Sequence, residues 1–122
     1  MTPLPPFPGT GKPLLLDVPT TFTAGWVEAL AALNAEFSGT GRVVRQVYGA
    51  FQSSRFSSAR PSKYLPAPSR EQFAHHVEAL RAHGIGFNYL INGPSYGNIE
   101  YTAGARRELE NELRFLVDSG VE

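Results

Sequence analysis

The chain has 122 residues, eleven basic and eleven acidic side chains, 42 % hydrophobic and 18 % charged residues, and no cysteine. That length limits it to one domain with a modest core, and the balanced charge excludes both a uniformly basic nucleic-acid binder and an acidic disordered chain. Without cysteine it can hold no disulfide framework, zinc-thiolate site, iron–sulfur cluster or cysteine nucleophile of its own.

No apolar run approaches the ~18 residues of a membrane span, and no basic region precedes an apolar stretch at the N-terminus, so a cytoplasmic protein that does not engage membranes is expected. Five of the ten prolines fall within the first thirteen residues, at Pro3, Pro5, Pro6, Pro8 and Pro13. Residues 1–12 therefore read as an extended arm, and residues 13–122 as the folded part.

The run LLLDV at Leu14 to Val18 is short, continuous and closed by Pro19, which suits a strand buried on both faces. Thr23 is placed to cap a following helix, and Trp26, Leu30, Leu33 and Phe37 share one helical face. Gly39 and Gly41 stop that helix. RVVRQVYGAF, from Arg42 to Phe51, is rich in β-branched and aromatic residues and predicts a second strand. Residues 52–68 follow as a long loop with five serines and three prolines. Loops beyond about 12–15 residues are usually functional or disordered.

Ser69 and Gln72 have capping-box spacing and predict the start of a second helix with Phe73, Val77 and Leu80 as its apolar stripe. Gly84 is its expected left-handed stop. IGFNYLIN, from Ile85 to Asn92, predicts a third strand. Thr102 is the expected cap of a third helix, with Leu109, Leu113 and Leu116 inward and Glu110–Arg114 as an i, i+4 ion pair. Gly120 ends that helix. Three strand–helix units in succession predict an α/β fold with parallel strands and right-handed crossovers. The last helix stop is followed at once by Val121 and Glu122, so the expectation is an incomplete TIM-type barrel. Such barrels carry eight units over about 250 residues. A complete small α/β domain remains the other reading.

Ligand sites in such folds lie at the C-terminal ends of the strands. Asp17 stands there on the first strand, either as a base or metal ligand or as a turn former before Pro19. Gln46 and Tyr48 share a face of the second. On the third, period two separates Asn88, Leu90 and Asn92 from Phe87, Tyr89 and Ile91. Helices cover the outside of a barrel strand, so the asparagines are expected inside, where each buried carboxamide needs a partner. Glu100, in the loop before the third helix, is a candidate acid or a counter-charge to the helix dipole. Asn88, Asn92 and Glu100 are the candidate catalytic residues.

The neutral total hides an asymmetry. From Phe37 to Arg70 there are six basic residues and no acid, and from Glu100 to Glu122 six acids and three arginines. Arg55, Arg60 and Lys63, interleaved with serines, form a candidate anion site for RNA or another polyanion, or else a solvated loop. His75, His76 and His83 read as surface or half-buried helix residues. No metal site and no cofactor are expected from them, and no Gly-rich phosphate loop is present.

RVVRQVYGAF, the basic Ser/Pro loop, GIGFNYLINGPSYGNIEYT and the helix RRELENELRFLVDSGVE together resemble the N-terminal part of the collagenase-like peptidases of family U-thirty-two. The resemblance covers about residues 14–122, and its most distinctive segment is FNYLIN…GN…EYT. It implies a (βα)8 barrel from a family that includes peptidases and iron–sulfur proteins of RNA or quinone hydroxylation. The cluster cysteines and the family signature belong to later parts of that barrel. The resemblance therefore implies a barrel portion without complete catalytic activity of its own, inclined to self-associate or to bind a complementary portion.

Overall fold

The computed structural model describes residues 12–51, 67–91 and 102–121. Six elements alternate: β1 Leu14–Pro19, α1 Trp26–Glu36, β2 Arg42–Gly49, α2 Arg70–Ala82, β3 Gly86–Tyr89 and α3 Ala103–Asp118. The strands form one parallel sheet in the order β1-β2-β3. This is the α/β architecture of three successive strand–helix units. The proline-rich arm, apart from Lys12, lies outside the described residues. Among the described residues no helix is long and apolar enough to cross a membrane.

The helix ends follow from side-chain chemistry. Ser69 accepts from the Gln72 N–H and the Gln72 side chain accepts from the Ser69 N–H, completing the capping box. Thr102 caps α3 by accepting from the Ala105 N–H. Gly84 and Gly120, at φ 72° and 95°, each close a Schellman motif: Ile85 donates to the Leu80 carbonyl and Val121 to that of Leu116. The apolar pairs Leu80–Ile85 and Leu116–Val121 that accompany these turns all belong to or pack on the core.

Three expectations are corrected. β1 is an edge strand, and Leu14, Leu15 and Leu16 are each about 40 % exposed, because among the described residues no further strand pairs on its outer side. Thr23 does not cap α1. Its hydroxyl is tied to Thr21, its carbonyl accepts from the Trp26 N–H, and the helix starts after Gly25, which sits at φ 82° with no side-chain cap. The inward stripes are also rotated. On α1 Val27 and Leu30 are buried while Leu33 and Phe37 are exposed, and on α3 Ala105 and Leu116 are buried while Leu113 is exposed. Among the described residues, both helices have a neighbouring helix on one flank only. Glu112 and Phe115 of α3 are partly buried.

A β-bulge decides which residues of β2 face the helices. Leu16 pairs with Val44 and Asp17 with Gln46, leaving Arg45 unmatched. Val44 and Val47, three residues apart, consequently face the helices together, and both are buried. Before the bulge the backbone of Val44 points away from β1, where β3 does not begin until opposite Gln46. Asn34 of α1 supplies the missing rung, accepting from the Val44 N–H at 2.8 Å and donating to its carbonyl at 3.0 Å. Left unpaired, such groups would cost about 1–3 kcal/mol each.

The centre of the core is Phe73 of α2, which is fully buried. Its ring lies 4.9 Å from Phe51, 5.3 Å from Phe87, 5.7 Å from Phe115, 6.0 Å from Phe22 and 6.1 Å from Tyr89, centroid to centroid. One side chain thus joins β3, the exit of β2, α3 and the β1–α1 connection. Phe73→Ala is expected to destabilise the fold by about 3–5 kcal/mol, read as a shifted urea midpoint. A change under about 1 kcal/mol would show that the aromatic cluster does not hold the layers together.

Candidate functional site

Ladder partners share a sheet face, so the pairing separates two surfaces at the C-terminal ends of β2 and β3. Val47 and Phe87 pair, and both are fully buried under the helices. Gln46 opposite Gly86, and Tyr48 opposite Asn88, therefore lie on the other face, which no described helix covers. Asn88 is exposed, and Gln46 and Tyr48 are half-buried. The period-two division of the third strand thus matches the structure for Phe87, Asn88 and Tyr89. Asp17 is on the same open face, 3.5 Å from the Arg45 guanidinium that the bulge turns toward it. Both partners are about half exposed, so this pair contributes little to stability.

Asn92, Glu100, Arg55, Arg60 and Lys63 lie outside the described residues. Of the basic stretch, Arg45 is engaged with Asp17, and Arg70 lies 3.5 Å from Glu112 with its guanidinium 4.3 Å above the Phe115 ring. The second oxygen of Glu112, Oε1, is buried with no hydrogen-bond partner.

On the helical side the structure assembles a second polar group around His76. Thr20, just past β1, is anchored by its N–H to the Tyr48 carbonyl. Its hydroxyl donates to the Thr21 carbonyl at 3.1 Å and lies 2.8 Å from His76 Nε2. The ring lies 4.6 Å from Phe22, stacks at 5.8 Å on Trp26 and meets Phe87 edge-on at 6.3 Å. Gly49 makes this possible, since a Cβ there would come within 2.7 Å of the Thr20 methyl. Burial holds the His76 pKa below its ordinary 6.5, and the Glu28 carboxylate partly offsets this. In front of the ring is an open groove of about 500 Å³ between the start of α1 and α2, bordered by Phe22, Glu28, Gln72 and His75. His75 and His83 are exposed. Among the described residues no group of three His, Asp or Glu side chains is placed to hold a metal ion.

Tyr89 closes the same end of the core. Its hydroxyl lies 3.4 Å from both the N–H and the carbonyl of Phe51, donating to the carbonyl and accepting from the N–H. Burial pushes its phenol up to about 12, against the lowering effect of that bond to Phe51. Sequence reasoning left His76 without a specific role. The available signal was its position three residues after Phe73 and four before Leu80, on the inward face of α2. Thr20 carries no such signal, because only the register brings it opposite α2. Comparison with known proteins finds no match: no family model, no curated protein and no solved structure aligns significantly with this chain.

Unfolded His76 takes up a proton near 6.5, whereas the folded ring resists it to lower pH. The unfolded state therefore binds more protons in that window, and stability falls as pH drops through it. Urea midpoints measured between about pH 7.5 and about pH 5.5 are expected to fall more for the natural chain than for His76→Phe; equal slopes would refute the buried neutral imidazole. Gly49→Ala is expected to cost about 1–3 kcal/mol and to weaken this pH dependence, because displacing Thr20 releases the ring. An unperturbed His76 imidazole NMR signal in that variant would count against the coupling.

Proposed function

We propose that the chain is the N-terminal portion of a (βα)8 barrel of the collagenase-like peptidase type, contributing one sector of a barrel mouth and lacking complete catalytic activity on its own. The observation that carries this reading is the uncovered face of the all-parallel sheet. Parallel sheets occur almost only with both faces covered; here helices cover one, and the other displays Gln46, Tyr48 and Asn88 near the strand ends. In a barrel that face is the interior and its upper rim is the ligand site. Asn88 supplies a polar site group of this sector, and Asn92 and Glu100, which follow it in the sequence, are the other candidates. The exposed β1 leucines and the outer edge of β3 are where further strands pair.

Leaving large apolar side chains such as Leu15 in water forgoes about 1.5–3 kcal/mol each relative to burial, a large share of a domain stability of roughly 5–15 kcal/mol. The purified chain is therefore expected to self-associate in light scattering, or to melt at the low end of the mesophile range, and to leave denatured collagen uncut. A monodisperse monomer with a cooperative melt above about 60 °C, or turnover of the collagen, would overturn the proposal.

A further inference from the structure

The groove between the start of α1 and α2 has no part in the barrel reading, which uses the opposite face of the sheet. Its volume of about 500 Å³ falls within the roughly 300–1,000 Å³ of small-molecule sites. Its walls are held in place by the core. Phe22 packs on both His76 and Phe73, Val27 is buried, and Ala79 packs against the core cluster. The connection from β1 to α1, which forms one side, is anchored where Thr20 donates to the Tyr48 carbonyl and where its hydroxyl meets His76 Nε2.

The charge of the lining is one-sided. It contains the Glu28 carboxylate and no lysine or arginine. Among the described residues Glu28 has neither a hydrogen bond nor an ion pair of its own. The other polar side chains at the groove do not compensate it. The Gln72 carbonyl is taken up by the Ser69 N–H in the capping box. His76 has Nε2 against Thr20, and burial favours its neutral form at pH values where an aliphatic amine still carries its charge. His75 is exposed beside the groove.

We propose that this groove binds a small organic cation, a primary ammonium carried on an apolar body, with the Glu28 carboxylate as counter-charge and Phe22 as the apolar wall. An ammonium and a carboxylate make a charge-assisted hydrogen bond, stronger than a neutral one. The Phe22 ring accepts either the apolar body of the ligand or, over its face, the cation itself. Val27 and Ala79 offer further apolar contact. An anion of the same shape would meet the unpaired carboxylate, so the lining selects for charge as well as shape.

Trp26 is the only tryptophan of the sequence and stacks on His76 beside the groove, so its fluorescence reports occupancy. The test titrates the full chain with phenethylamine, phenethyl alcohol and phenylacetate at about pH 8, above the range in which histidines ordinarily charge. Phenethylamine is expected to change the emission saturably with a Kd of about 1 mM or below, and the alcohol and the acid to bind at least about tenfold more weakly. Amide NMR shifts on adding the amine should cluster at residues 22–28 and 72–79. Glu28→Gln should weaken the amine about tenfold and leave the alcohol unchanged, whereas Glu36→Gln, an exposed carboxylate at the far end of α1, should alter neither. The proposal is overturned if the amine gives no saturable change up to about 10 mM, if the alcohol binds as well as the amine, or if Glu28→Gln binds the amine like the natural chain. Tighter binding of phenylacetate would also overturn it, and would assign the groove to an anion held by the first N–H groups of α1. The comparison of the three ligands uses the natural chain and does not depend on its association, so this proposal and the barrel reading fail separately.

Discussion

The buried ring of Phe73 is the contact on which the rest of the molecule depends. A three-stranded sheet with three helices on one face has a small apolar core, and here five other aromatic rings lie within 6.1 Å of one side chain's ring, centroid to centroid. Aromatic pairs at these separations contribute beyond their area burial. Because those rings come from β3, α3, the exit of β2 and the β1–α1 connection, setting Phe73 in place orders the C-terminal end of the whole sheet. The Tyr89 hydroxyl can then reach both backbone groups of Phe51, and His76, one turn further along α2, comes to rest over Thr20.

The opposite end of the sheet is held by a polar device. β3 begins late, opposite Gln46, so the first residues of β2 lack a partner strand on that side, and the carboxamide of Asn34 takes over that role. The adjacent bulge at Arg45 reverses the facing of everything that follows on β2. Without it, Val44 would share a face with Gln46 and Tyr48, and Val47 would leave the core. One unmatched residue therefore determines that the open face is polar toward the strand ends and that the helical face is continuous and apolar. Gly49 completes the arrangement by leaving room for the Thr20 side chain over β2.

Two surfaces of different character result. The open face, with Asp17, Gln46, Tyr48 and Asn88, has the chemistry of a hydrogen-bonding site at strand ends. The outer flank of α1, with Leu16, Leu33 and Phe37, is apolar and has the chemistry of a packing surface. The imidazole of His76 belongs to neither. It is half-buried between α1 and α2, and its protonation sets a charge among aromatic rings that the Glu28 carboxylate partly compensates.

Much of the architecture was legible in the sequence because it is written in local chemistry. The Ser69–Gln72 box, the Thr102 cap and the glycines at 84 and 120 act within one turn of chain, and the period of two along Phe87, Asn88 and Tyr89 needs only a sheet with one covered face. The strand order followed from alternating elements and short connections. The sequence could not disclose what depends on neighbours distant in the chain. LLLDV reads as a doubly buried strand, and only its place at the edge of the sheet exposes it. Leu33, Phe37 and Leu113 carry the spacing of inward residues, yet they lie on helices that have one neighbouring helix each among the described residues. Val44 and Val47 violate period two, and the bulge that reconciles them is visible only in the pairing with β1. The same holds for Asn34 and Thr20, small polar residues with no local signature. Their partners, Val44 and His76, come within reach only when the helices close on the sheet.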